Sequence, residues 1–447
     1  MTVAALLLLA WCGLQRPVLW LAALLVGLPF YYSWFLPILP MRPFSLIDVG
    51  VLGGSVILLG HWGLLRFAGA DKPAITVQEA AYKPPRANVL WQMMTLVLAG
   101  IIGWALLSTV RAEQGSVAFR ERRTVFLNGG LFAFLLVGTF RLSRQPTADQ
   151  WLLLGAWLTG ATVVAVVGLW QYSSGEMVIA TEGVQRVRAF YGSPNNLALY
   201  LERALAPMLA LALFARRPVL RIITASGALF VGSALLLTFS KGALLFGLPA
   251  MFGVLWLGGF DLLRQRGQSR RLLWVLAAVG GLAFLALTPF LGTERFQRLL
   301  DFQQGTGFLR LQLWRSAWQM ALDHPLFGVG PDNFLYAYRS LYLLPAAWQE
   351  PNLNHPHNWL QDRWTRLGVP GLLLALLWFG LIALTHWRRL RNNRQPVLSL
   401  GLLAAGVAAL AHGLIDASYA LPDLMLIWVL LTYIPFIAES PPPPRPA

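Results

Sequence analysis

Two histidines stand two residues apart in His355-Pro356-His357-Asn358, just before an apolar run that begins near Trp359. Histidine is the side chain best suited to accept a proton near neutral pH, so this stretch offers a general base. Asn358 beside it can orient a neighbour or donate to a developing oxyanion. A metal is the competing use of paired histidines. Here Pro356 prevents a regular helical pairing and no carboxylate stands at the usual ligand spacing, so no metal site is expected. The plainer alternative is a histidine that serves only as a polar anchor at a membrane interface.

Cations supply the second half of a possible chemistry. Phe239-Ser240-Lys241-Gly242 puts one lysine on a polar turn between two apolar runs. Lysine can bind phosphate there as a point charge, or it can simply snorkel to the interface. Arg186 and Arg188 precede Tyr191-Gly192-Ser193-Pro194-Asn195-Asn196, a turn leading into a span that carries Glu202 and Arg203. Charges inside a span are costly and face a partner or a cavity; Arg203 can equally neutralise Glu202. Asp362 and Arg366 are four apart and can pair within one helix. His412 and Asp416 are also four apart on one expected helix face, where they either bond internally or support the site.

The elements that must position these residues are membrane spans. Of 447 residues, 57% are hydrophobic and 12% charged, where a soluble domain has roughly 25% charged residues. Apolar runs near 20 residues predict a polytopic, all-α helical bundle. They do not alternate as barrel strands would. Twelve spans are expected, at about 17–36, 44–66, 88–110, 123–141, 148–171, 193–214, 218–239, 242–260, 271–291, 358–386, 396–417 and 421–438. Residues 3–14 are apolar but short, with no small-residue cleavage site, and are read as retained. The Pro-rich tail 439–447 cannot be helical. The lone Cys12 excludes an internal disulfide.

The net charge of +16 lies in short loops, which fits membrane topology better than nucleic acid, and no nucleic-acid partner is expected. Arg216, Arg217 and Arg221, then Arg264 to Arg271, then Arg388 to Arg394, fall on one side with Arg141 and Arg144. Positive-inside places that side in the cytoplasm. Residues 172–192, the Lys241 turn, the segment 292–357 and the turn near Ser418 then lie outside. The loop 111–122, with Arg111, Arg120 and Arg122 against Glu113 and Glu121, is a mild exception.

Segment 292–357 is long for a plain connection. Within it, Leu311, Trp314, Trp318, Ala321 and Leu322 recur at helical spacing from Phe308 to Asp323. That predicts a helix on the outer membrane surface, ended by His324-Pro325. External cations and a histidine beside lipid suit a substrate with a lipid tail and a diphosphate. Cations would neutralise the leaving diphosphate, and a histidine would deprotonate the attacking sugar hydroxyl. No Gly-rich nucleotide loop is present and no cofactor is expected.

The order of these motifs resembles the O-antigen ligase/polymerase family of bacterial membrane glycosyltransferases. Gly192-Ser193-Pro194-Asn195-Asn196 looks like its Gly-x-x-x-Asn turn, and Ser240-Lys241-Gly242 like its Ser-Arg-Gly element. Arg310 with Trp314, then Pro325-Leu326-Phe327-Gly328-Val329-Gly330 and Asn333-Phe334, looks like its loop helix and Gly turn. His357-Asn358 with Leu367-Gly368-Val369-Pro370-Gly371 looks like its closing signature. The resemblance covers 192–371, between N-terminal helices 1–191, which match only as a generic bundle, and C-terminal helices 372–438.

The resemblance implies metal-independent, inverting transfer of a glycan from undecaprenyl diphosphate to a glycan, lipid or protein acceptor, at the external face of the cytoplasmic membrane. It singles out His357 as base over His355 and His324, with Lys241, Arg310 and Arg188 on the diphosphate and Asn358, His355, Arg186, Asn196, Asp416 and His412 in support. Lys241 departs from the expected arginine and lacks its bidentate fork. Ligation and polymerisation of repeat units both fit. A transporter or flippase of lipid-linked saccharide is the alternative from another class, although the inverted repeat common in transporters is not apparent.

Overall fold

The computed structural model describes residues 3–31, 35–36, 44–67, 89–176, 178–181, 184–292, 305–416 and 421–437. The Pro-rich tail, the turn near Ser418 and residues 293–304 of the external segment lie outside the described residues.

The chain is an all-α polytopic bundle. Eight described helices are long and apolar enough to cross a membrane: Leu46–Leu64, Val89–Arg111, Gly115–Arg141, Pro146–Ser174, Pro194–Phe214, Pro218–Leu237, Ala243–Gln265 and Trp359–Arg391. Four shorter apolar helices, Pro17–Phe30, Arg271–Leu285, Pro396–His412 and Pro422–Phe436, occupy the remaining expected spans. Residues Val3–Gln15 form a separate helix. Proline at the first turn opens many of these helices, where its missing N–H costs nothing.

Helix Pro194–Phe214 is the centre of the bundle. Its apolar window is 89% buried, whereas the other seven long spans bury 33–56%. It packs against Pro218–Leu237 and Pro396–His412. Close approach to the latter needs Gly401, where a Cβ would sit 2.6 Å from the Pro207 backbone. Two short hairpins complete the fold, Phe35–Leu36 with Phe44–Ser45 and Ile179–Thr181 with Val184–Arg186.

The two ends of the bundle differ in charge. At one end Arg266 and Arg221 close the last turn of helix Pro194–Phe214 by donating to the Phe214 and Ala212 carbonyls, and Arg391 meets Asp261 at 3.4 Å. At the other end lie residues 186–196, 238–242, 323–358 and 413–416. Loop 111–122 joins this second end, because the Gln114 N–H donates to Asn333 Oδ1 at 2.8 Å and Arg120 pairs with Asp332 at 2.7 Å. Within this loop Arg120 pairs with Asp332, Arg122 lies over the Phe119 ring and Arg111 over the Phe327 ring.

The surface helix runs Gly305–Asp323, a turn longer than expected. Of the expected apolar stripe, Ala321 is buried. Leu313, Ala317 and Met320 pack with Phe334, Ala337 and Tyr338 in a small separate core, while Trp318 and Leu322 are 52% and 49% exposed. Helical periodicity placed an apolar stripe on this helix but could not say that a second, smaller-residue face would be covered by residues 334–338. Trp318 meets Trp364 of the long Trp359–Arg391 helix edge-on.

Candidate functional site

The site end is built on a broken helix. Within Trp359–Arg391, Gly368 has φ 68° and ψ −174°, and Pro370 has no N–H to return to the Arg366 carbonyl. Two helical carbonyls are therefore left open, and the Gly turn of the external segment fills them. Val329 N–H donates to the Thr365 carbonyl at 2.8 Å and Gly330 N–H to the Arg366 carbonyl at 3.1 Å. In return Val369 N–H donates to the Pro325 carbonyl at 2.8 Å. A side chain cannot enter this clasp: a Cβ at Gly368 would lie 2.1 Å from the Leu326 carbonyl oxygen, and both Gly328 and Gly368 have left-handed φ. From the Val89–Arg111 helix, Ser108 Oγ donates to the Arg366 and Phe327 carbonyls and Trp104 Nε1 to the Leu367 carbonyl. These two motifs thus hold the loop in place.

Beneath the clasp, Arg366 is buried and fully engaged. It bonds Asp362 at 2.8 Å, as the spacing of four predicts, and also Glu121 at 2.7 Å and the Asn354 carbonyl at 2.8 Å. That last bond fixes the strand of loop running into His355. Trp314 Nε1 donates to the Pro356 carbonyl at 2.9 Å, and Gln361 returns a bond to the Trp314 carbonyl. Arg310 sits one turn before Trp314 on the same helix.

His357 adopts φ 52°, a left-handed conformation that is strained for a non-glycine residue. Phe239 (φ 45°), two residues before Lys241, and Ala189 (φ 48°), next to Arg188, share it. Such strain, at about 1–3 kcal/mol per residue, persists only where the surroundings over-determine it, and it concentrates at functional sites. The His357 ring is 24% exposed and its Nδ1 lies 3.4 Å from Asp416 Oδ1. A carboxylate on Nδ1 favours the tautomer that leaves the Nε2 lone pair for a substrate proton. His355 packs edge-on at 4.2 Å and accepts the His357 N–H on Nδ1. Burial, together with the neighbouring His357, pushes the His355 imidazole down to about 3, so it stays neutral. Burial alone would raise Asp416, but the hydrogen bond and charge of His357 outweigh it and hold this carboxyl well below its usual range.

A polar chain runs on from Asp416. Asn195 Nδ2 donates to Asp416 Oδ2 at 3.3 Å; Arg186 donates to Asn195 Oδ1 at 2.7 Å and to the Thr238 carbonyl at 2.7 Å. It therefore links His357 to the turn that carries Lys241, which is buried. That turn is locked from the other side. Ser240 Oγ lies 3.4 Å from His412 Nε2, and His412 Nδ1 lies 2.9 Å from Glu202 Oε2. A Cβ at Gly242 would fall 2.1 Å from the His412 ring.

Several sequence expectations change. His412 and Asp416 do not share a helix face, because the helix ends at His412 and Asp416 lies in the following turn. They serve separate constellations. Asn358 is not free to face an oxyanion: its Oδ1 caps the helix by accepting from Leu360 and Gln361, and its Nδ2 bonds the Leu414 carbonyl. Asn196 uses its backbone N–H to bond the Ser193 cap, and Asn195 is the member of that pair that reaches Asp416. Asn195 was visible only as half of an Asn-Asn turn; its role needs a partner 221 residues away. Arg186 is committed to structure, while Arg188 is half-buried with a long 3.5 Å bond to the Tyr191 carbonyl. The carboxylate that local spacing did not offer the histidines is Asp416: His355, His357 and Asp416 each place a ligand atom within 4.8 Å of the others.

Comparison with known proteins agrees with the order of motifs. Over 131 residues the chain is 28% identical to the teichuronic acid biosynthesis protein TuaE of Bacillus subtilis (strain 168), covering 28% of this chain and 25% of that protein. The match thus spans only a quarter of the relative's length. The family model described as O-antigen ligase matches residues 226–376, a stretch that contains Lys241, Arg310 and His357 but neither Asp416 nor the arginines at 186 and 188. Over residues 226–376 the chain is therefore similar to the O-antigen ligase family, and that stretch is set within a larger polytopic helical bundle.

Proposed function

We propose that the protein is a membrane glycosyltransferase that moves a glycan from undecaprenyl diphosphate to an acceptor hydroxyl at the external face of the cytoplasmic membrane. The observation that carries this reading is His357, part-exposed on a strained loop with Asp416 at its Nδ1. His357 takes the proton of the acceptor hydroxyl as that oxygen attacks the anomeric carbon, and Asp416 stabilises the imidazolium formed. The bond to the diphosphate breaks on the opposite face, which inverts the centre. Lys241, Arg310 and Arg188 meet the charge that gathers on the leaving diphosphate. No metal takes part in that step.

The basic end of the bundle faces the cytoplasm in this reading, which puts the site outside. Polymerisation of lipid-linked repeat units stands beside ligation, since the relative's name speaks of teichuronic acid biosynthesis rather than of ligation. Purified protein reconstituted with undecaprenyl-diphosphate glycan and candidate acceptors, followed by mass analysis, tests the reading. A new glycosidic bond with release of the lipid diphosphate is expected. Movement of labelled carrier across the bilayer with no bond formed would support a flippase instead.

A further inference from the structure

We propose that His355, His357 and Asp416 form a binding site for a d-block divalent cation of the zinc class, and that its occupancy switches the transfer reaction off. The inhibitory part rests on the reading of His357 as base; the binding part stands alone.

Two imidazoles and one carboxylate are brought together from two loops, with one ligand atom of each lying within 4.8 Å of the others. Tetrahedral zinc with bonds of about 2.0–2.1 Å needs ligand atoms about 3.4 Å apart. His357 Nδ1 and Asp416 Oδ1 already stand 3.4 Å apart, so only His355 has to close in. The loops are tethered to each other, since Trp359 N–H donates to the Gly413 carbonyl at 2.8 Å and Asn358 Nδ2 to the Leu414 carbonyl at 3.0 Å. Asp416 also has the outer support typical of a metal ligand: Asn195 bonds its second oxygen and Arg186 holds Asn195.

The donor set selects the ion. Magnesium and calcium take oxygen ligands, whereas imidazole suits zinc, cobalt, nickel and copper. A fourth position is left for water or an anionic oxygen. The consequence for catalysis follows from the ring. Without an ion, Nδ1 carries the proton and Nε2 offers its lone pair. An ion on Nδ1 leaves the proton on Nε2, and the ring can then accept nothing from the acceptor hydroxyl.

The test uses full-length protein in detergent or nanodiscs, stripped with a chelator and titrated with Zn2+ against a chromophoric competitor, with Co2+ as a spectroscopic probe. One ion per chain is expected, with a tetrahedral Co2+ d–d band. His355→Gln and Asp416→Asn should each weaken binding by more than about tenfold, and His324→Gln, away from the cluster, should not. In the transfer assay Zn2+ should inhibit, excess chelator should restore the rate, and His355→Gln should raise the inhibitory Zn2+ concentration by more than about tenfold, measured against that variant's own rate. Equal binding by wild type, H355Q and D416N overturns the site. Loss of transfer on chelation, restored by Zn2+, overturns the inhibitory role. If the protein proves to transfer no glycan, the binding titration still decides the site.

Discussion

Among the described residues, two histidines carry a carboxylate on Nδ1, and their surroundings differ. His357 faces Asp416 at 3.4 Å and His412 faces Glu202 at 2.9 Å. His357 keeps 24% of its side chain exposed, on a left-handed loop residue at the bundle end. His412 is wholly buried at the end of its helix, and its Nε2 is already occupied by Ser240 at 3.4 Å. The second constellation has the connectivity of a Ser–His–acid triad, yet Ser240, His412 and Glu202 are all fully buried. Residue type and hydrogen-bond pattern are the same in kind. Access is what separates the proposed base from a buried strut.

The sharpest way to break that contrast is substitution of each histidine. His357→Ala, with insertion checked, should lower transfer by about 10²–10⁴-fold, the worth of a positioned general base. Its thermal stability should change far less than that of the buried variant. Full transfer by His357→Ala would remove the contrast altogether. His412→Ala leaves Glu202 buried beside only the Arg203 contact at 3.8 Å. It should cost about 3–5 kcal/mol of stability, read as a large drop in unfolding temperature in detergent, with activity lost through the fold and not through the chemical step.

The Lys241 turn links the two constellations and gives a smaller effect. Lys241→Ala should lower transfer by about 10- to 150-fold, the value of about 1.5–3 kcal/mol for a charged hydrogen bond. Lys241→Arg should recover most of that loss if charge is what the turn supplies; equal loss in both variants would make Lys241 structural, like its neighbour His412. The smallest effect is with pH. His355 is pushed down to about 3 in the folded state, against about 6.5 when unfolded. A depressed pKa contributes stability that is full above about 6.5 and is lost as pH falls toward 3. Thermal unfolding in the presence of chelator should therefore show a falling midpoint from pH 7 to pH 5, and His355→Gln should flatten that slope.

Much of this was legible in the chain itself. Apolar runs of span length set the number and order of helices, because a backbone in lipid must satisfy its own hydrogen bonds. The expected Asp362–Arg366 pair forms because four residues return to the same helix face. Lys241, Arg310 and His357 stood out as chemistry-bearing residues in otherwise apolar or turn-rich surroundings. Local pattern failed where the deciding partner came from far away. The exposed flank of Gly305–Asp323 depended on residues 334–338 covering its other face. Asn358 looked like an oxyanion donor, but its Nδ2 donates to the distant Leu414 carbonyl while its Oδ1 caps the helix.

What the sequence determined, then, was a membrane-spanning helical bundle with a polar segment carrying a histidine and cations, since hydropathy and side-chain chemistry are properties of single residues and short windows. What only the tertiary structure decided was pairing. Asp416 belongs to His357 and Glu202 to His412, and the Gly turn closes on a broken helix, because burial and close approach are properties of residues brought together from distant parts of the chain.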